Sequence, residues 1–243
     1  MNLLNVLMYL PQEAAGGGFD INLLVNYFNQ GNEGGNFMWY VLICLVIGLA
    51  IAIERIITLN LADINTRKFI VKVKRALDEG GISAAEEVCA STRGPVASVF
   101  QAGLLRADEG IEAVEKAIVA YGSIEMSFLE RGLVWLSLFI SLAPMFGFMG
   151  TVVGMVLAFD AIESAGDISP SLVAGGIKVA LLTTVFGLIV AVILQVFYNY
   201  CVSKIDRLVA EMEEASLELI DSLVLINQGK PVAATAEPEA SND

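Results

Sequence analysis

The chain has 243 residues, 56% hydrophobic and only 17% charged, a balance that a soluble domain of this size does not carry. A net charge of −13 excludes nucleic-acid binding, which needs a basic surface. Histidine is absent, which removes the commonest catalytic base and metal ligand, and Cys44, Cys89 and Cys201 have neither metal-ligand nor disulfide spacing; they read as buried or reduced thiols.

Residues 1–36 contain no Lys or Arg. The apolar stretch Asn2–Leu10 stops at Pro11 and lacks the basic start of a secretory signal, so it reads as an interfacial or partner-contacting helix. Asp20–Phe28 reads as a second short amphipathic piece, with Ile21, Leu24, Val25 and Phe28 on one face. Gly31–Gly35 then breaks the chain.

Three apolar runs follow that can cross a bilayer core, which takes about 20 helical residues. They place spans at residues 37–57, 132–159 and 177–199. Lipid offers the backbone no hydrogen bonds, so each run must be helical. The intervening residues 58–131 read as helices: Leu61–Glu79, ended by Gly80–Gly81, then Pro95–Ala107, then Ile111–Arg131 running into the second span past Gly122 and Gly132. A loop, 160–176, joins spans two and three. The third span continues through residues 200–228, where Ile205, Leu208, Met212, Ala215, Leu219, Leu223 and Ile226 recur at steps of three and four and predict a stripe buried against other helices. The tail, 229–243, is rich in Pro, Ala and Glu and is expected to be disordered. The expected fold is an all-α membrane protein with three transmembrane helices, the second and third extended into long cytoplasmic helices.

Charge sets the expected orientation. Segment 54–132 holds ten basic residues, while 1–36 and 159–176 hold none. The positive-inside rule puts this Lys- and Arg-bearing segment and the C-terminus in the cytoplasm and the N-terminus on the periplasmic face of a bacterial inner membrane.

No titratable side chain occurs between Leu133 and Phe159 or between Val179 and Phe197. Buried ionisable groups mark ion routes, so this chain alone lacks a carboxylate to carry a proton through the membrane. Its second and third spans instead offer small and hydroxyl residues in helical register: Ser137, Ser141, Gly147, Thr151, Gly154 and Ala158, then Ala180, Thr184, Gly187 and Ala191, with Thr183 alongside. Such stripes serve plain helix packing, or line a path that another helix completes. Pro144 removes one backbone hydrogen bond inside the second span, as a tolerated kink or as a bend that shapes a pore.

The segment Ala143-Pro144-Met145-Phe146-Gly147-Phe148-Met149-Gly150-Thr151-Val152-Val153-Gly154 resembles the signature of the MotA/TolQ/ExbB proton channel family. Ala180-Leu181-Leu182-Thr183-Thr184-Val185-Phe186-Gly187, followed by Tyr198-Asn199-Tyr200, is similar to the third span of its ExbB/TolQ branch. Gly34-Gly35 with Met38-Trp39 at the start of the first span and Glu54-Arg55 at its end make a third match. The resemblance covers roughly residues 20–228. It implies a homopentameric, non-enzymatic stator without metal or cofactor, enclosing two copies of an ExbD- or TolR-like single-span partner whose membrane Asp carries the proton. It implies work on outer-membrane transport through a TonB-like protein, or a TolQ-like or gliding-motor role. The rival is a scaffold that conducts nothing. The resemblance makes Thr151 and Thr184, with Thr183, the pore hydroxyls, and gives Pro144, Gly147, Gly150, Gly154 and Gly187 the kink and the close packing. One position departs: the branch usually has Glu near the outer end of the third span, where this chain has Val179 preceded by Lys178, a snorkelling residue or an outer-mouth charge.

Overall fold

The apolar runs are helical in the computed structural model, which describes residues 36–166 and 170–228. The expected short helices before residue 36 and the expected disordered tail lie outside the described residues. In chain order the helices are α1 (Asn36–Ala62), α2 (Thr66–Ser91), α3 (Pro95–Leu104), a single 3-10 turn at Ala107–Glu109, α4 (Ile111–Glu130), α5 (Leu133–Ala165) and α6 (Pro170–Asn227). Three helical stretches, containing α1, α5 and α6, are long and apolar enough to cross a membrane. With 58 residues, α6 is about 87 Å long at ~1.5 Å per residue, nearly three times a ~30 Å hydrocarbon core, so most of it must lie outside lipid.

The described residues form two compact units, one within residues 36–46 and 139–192, the other within residues 47–138 and 193–228. The second unit holds a hydrophobic core built around α3. Every residue of α3 but Ser98 and Gln101 is buried. A helix apolar all round must be surrounded, and α2, α4 and the last third of α6 surround it. Phe69, Val73, Leu77 and Cys89 of α2 meet Val99, Phe100 and Leu104 of α3, Val114 and Ile118 of α4, and Met212, Ala215, Leu219 and Leu223 of α6. The Phe69 and Phe100 rings pack tilted, with centroids 5.3 Å apart. Gly103 lets α4 come close, since a Cβ there would stand 3.0 Å from Ile118 Cγ1. A smaller cluster of Leu59, Leu129, Leu133, Cys201, Ile205 and Leu208 joins α1, α4, the start of α5 and α6 within the same unit.

Helix boundaries follow local chemistry. The Asn65 side chain accepts from the Lys68 backbone N–H at 3.1 Å and caps α2, so α1 ends at Ala62 and a new helix starts at Thr66, where the sequence reads one helix from Leu61. Gly81 breaks α2 internally with φ of 70°. The expected run from α4 into the second span is interrupted: Arg131 leaves the helical region with ψ of 128° and Gly132 has φ of 92°. A Cβ on Gly132 would stand 3.0 Å from Arg55 Nε, so the turn also leaves room for that guanidinium, which pairs with Glu54 at 2.7 Å.

A polar belt ties the α1–α2 junction to α6. Asp63 accepts from both Lys204 and Arg207, the Thr66 hydroxyl donates to Glu211 at 3.0 Å, and Lys74 pairs with Glu218 at 2.8 Å. The Lys204 ammonium bonded to Asp63, with Arg207 beside it, holds the Asp63 carboxyl below its ordinary range, against a smaller opposing effect of burial.

Candidate functional site

In the first unit α5 and α6 run antiparallel along a seam of small residues. A Cβ added at Gly187 would stand 2.6 Å from the Ala143 carbonyl oxygen, one at Gly147 would stand 2.9 Å from the Thr183 carbonyl oxygen, and one at Gly150 would stand 2.6 Å from Thr183 Oγ1. Gly154 lies against Ala180 (3.1 Å to its Cβ), and Gly176 against Ala158 (2.6 Å). The backbones thus touch along four turns. In lipid, where apolar side chains gain nothing by leaving solvent, this close packing is what joins two helices. Pro144 lies within α5, which stays helical through it, although the Ile140 carbonyl loses its usual N–H partner there.

The three threonines take different places around this seam. Thr183 is fully buried in it; its hydroxyl is 2.7 Å from the Ala180 carbonyl of its own helix and 3.3 Å from the Gly147 carbonyl of the other. Thr184 is half-buried and donates across the helices to the same Gly147 carbonyl at 3.2 Å. Thr151 is half-buried and donates to the Phe148 carbonyl of its own helix at 2.6 Å. In an antiparallel pair, a turn of ~100° from Gly150 to Thr151 and from Thr183 to Thr184 carries both side chains to one flank of the seam. The opposite flank meets α1, where the Phe146 and Tyr40 rings lie 5.7 Å apart.

A hydroxyl has one proton and two lone pairs. Thr151 and Thr184 each commit the proton to a backbone carbonyl, so what they present to a visitor on their flank is acceptor capacity. The destination of the Thr184 proton was invisible in the sequence, because it depends on the axial register of two helices, whereas the Thr151 proton goes to a carbonyl three residues back on its own helix. At the far end of α6 the buried Val179 and exposed Lys178 occupy the positions discussed above. Among the described residues no group of three His, Cys, Asp or Glu side chains is placed to hold a metal.

Residues 91–214 match the MotA/TolQ/ExbB proton channel family. The chain is 31% identical over 194 residues to a biopolymer transport protein ExbB homolog of Methanothermobacter thermautotrophicus, covering 79% of this chain and 69% of that one. It is 26% identical over 155 residues to an ExbB-like biopolymer transport protein of Synechocystis, covering 62% and 72%. The fold is similar to that of C. jejuni MotAB, with a TM-score of 0.55 and 13% identity over 99% of this chain and 98% of that one. The match of residues 91–214 to the family model and the 31% identity to a relative covered over 69% of its length establish that the chain belongs to the MotA/TolQ/ExbB proton channel family.

Proposed function

We propose that this chain is the ring-forming stator subunit of a proton-driven motor in a bacterial inner membrane, ExbB-like in kind. Five copies, a number resting on the family resemblance, surround the single membrane helices of two copies of an ExbD- or TolR-like partner. The partner supplies the Asp that the spans of this chain lack, and its motion energises outer-membrane transport through a TonB-like protein. The second unit, which together with the tail carries 13 of the chain's 14 Lys and Arg residues, faces the cytoplasm and the N-terminus the periplasm.

The observation that carries this reading is the pair Thr151 and Thr184 on the flank of the seam away from α1, in stretches, Leu133–Phe159 and Val179–Phe197, that have no ionisable group of their own. As the threonines stand, their lone pairs accept from a protonated carboxylic acid and favour its neutral form. Rotation of either hydroxyl away from its carbonyl converts it to a donor and favours the carboxylate. Two such hydroxyls therefore support both protonation states of a visiting Asp at small cost. Thr183, enclosed in the seam, packs the helices.

The test is reconstitution. The full chain, co-expressed with a single-span protein bearing a membrane Asp, is placed in liposomes containing a pH-sensitive dye. An imposed potential should drive proton entry that disappears when that Asp is changed to Asn. Proton-tight liposomes containing the intact complex would favour the scaffold instead.

A further inference from the structure

A cavity of about 410 Å³ opens where α4 passes into α5 beside the middle of α6, wholly within the second unit. Leu133, Val134, Val202 and Ile205 make it largely apolar, and Ser137 and Tyr198 add hydroxyls. Two exposed carboxylates complete the lining, Glu130 from the α4 side and Asp206 from α6; no Lys or Arg takes part. The basic groups of this stretch of α6 point elsewhere, since Lys204 and Arg207 are engaged with Asp63. By helical register, Ser137 follows Thr151 down α5 through Phe148, Pro144 and Ser141 at steps of three and four, and Tyr198 follows Thr184 down α6 through Leu188, Ala191 and Gln195.

This lining selects its occupant by charge. An anionic lipid headgroup would meet two carboxylates and no cation. A Lys or Arg side chain fits both halves of the surface: its aliphatic stem lies on Leu133, Val134 and Val202, and its charge reaches Glu130 or Asp206 with the Tyr198 ring at hand. A single-span membrane helix carries such residues on its cytoplasmic flank, by the same rule that orients this chain. We propose that the cavity seats the basic cytoplasmic flank of the single-span partner's helix. The inference rests on the reading above that such a partner passes along the Thr151–Thr184 flank.

Photo-crosslinking in the full chain, in its own membranes, tests it. A benzoylphenylalanine replaces Val134, which is 77% exposed in the cavity wall, or Leu188, which is 51% exposed at membrane depth. Irradiation at position 134 should join the chain to the Lys- or Arg-bearing peptide before the apolar stretch of a single-span protein. Irradiation at position 188 should join it to the apolar stretch itself. If position 188 captures the single-span protein while position 134 captures only phospholipid, a second copy of this chain, or nothing, the cavity assignment is overturned and the proposed function stands. If neither position captures it, the proposed function fails as well. Independently, Glu130→Lys with Asp206→Lys should lower the co-purified partner by roughly tenfold at unchanged yield of this chain, because like charges across a contact are repelled. Changing the partner's flanking bases to Glu should restore it. Undiminished partner in the doubly substituted chain overturns the proposal.

Discussion

Thr184 donates its hydroxyl proton to the backbone carbonyl of Gly147 on the neighbouring membrane helix, at 3.2 Å, and only a residue without a side chain at position 147 allows it. A Cβ there would press on Thr183 O at 2.9 Å and Thr184 Cα at 3.1 Å, both backbone atoms that cannot turn aside. The glycine and the hydroxyl are therefore one device, in which close approach and the cross-helix bond require each other.

The seam predicts an order among glycine substitutions. Gly187→Ala and Gly147→Ala force backbone against backbone and should destabilise the detergent-solubilised protein by ~1–3 kcal/mol each. Gly122→Ala meets only Met212 Cε at 3.8 Å and removes a helix-weakening glycine, so it should be neutral or stabilising by up to about 1 kcal/mol. Thermal unfolding of the three variants side by side checks the ranking; equal losses would mean that the seam does not hold the helices.

Burial makes Cys89 a poor reporter of topology. It is 2% exposed, and burial, helped by the nearby Glu86 charge, pushes its thiol up to about 12. Since the thiolate is the reactive form, a maleimide should leave it untouched at neutral pH on either side of the membrane and label it only in denaturant. The exposed positions Glu79 and Asn36 serve instead. An impermeant maleimide should reach Asn36→Cys in intact spheroplasts and Glu79→Cys only after permeabilisation. The reverse pattern would invert the proposed orientation.

The Asp63 clamp has a definite pH dependence. Its folded-state pKa lies below the unfolded value of ~3.9, so the clamp's stabilisation is fully present above about pH 4 and disappears as pH falls through the folded value. Asp63→Asn should lower stability by about 1 kcal/mol at pH 7, a modest figure because Arg207 is half-exposed and solvent screens its share. The gap between wild type and variant should close in acid, on the low side of pH 4. A gap that persists unchanged at pH 2.5 would show that the contact acts through packing alone.

Much of this was legible in the sequence, and the reason differs by element. The stripe Ile205, Leu208, Met212, Ala215, Leu219 and Leu223 is buried as its spacing predicts, with its last member Ile226 partly buried at the end of the helix, because helical period decides which side of α6 faces a core. The 100° between Thr183 and Thr184 likewise separates a buried from a half-buried side chain. The α4–α5 interruption was less legible: Gly132 was visible as a possible breaker, but the side chain that a Cβ there would meet, Arg55, lies on another helix. Least legible was the Asp63–Lys204 pair, whose members lie 141 residues apart with no periodicity to connect them.

The hydroxyl pair gives the last prediction. Thr151→Val and Thr184→Val keep the shape of the side chain and remove its proton and lone pairs. Thr184→Val also removes the bond to Gly147 O, worth about 1 kcal/mol, which the glycine contacts around it should withstand. Assembly with the single-span partner should therefore survive, while partner-dependent proton entry falls in each single variant and furthest in the double. Thr183→Val supplies the contrast. It loses the 2.7 Å bond to Ala180 O inside the seam, so it should lower thermal stability and leave proton entry per assembled complex near wild type. Proton flux normalised to complex yield separates the two classes. If Thr151→Val/Thr184→Val conducts like wild type, the two hydroxyls pack helices and nothing more, and the carboxyl group on the partner must find its hydrogen bonds in water. If Thr183→Val is the variant that fails to conduct, the ion passes through the seam itself, and the flank assigned to it here is the wrong one.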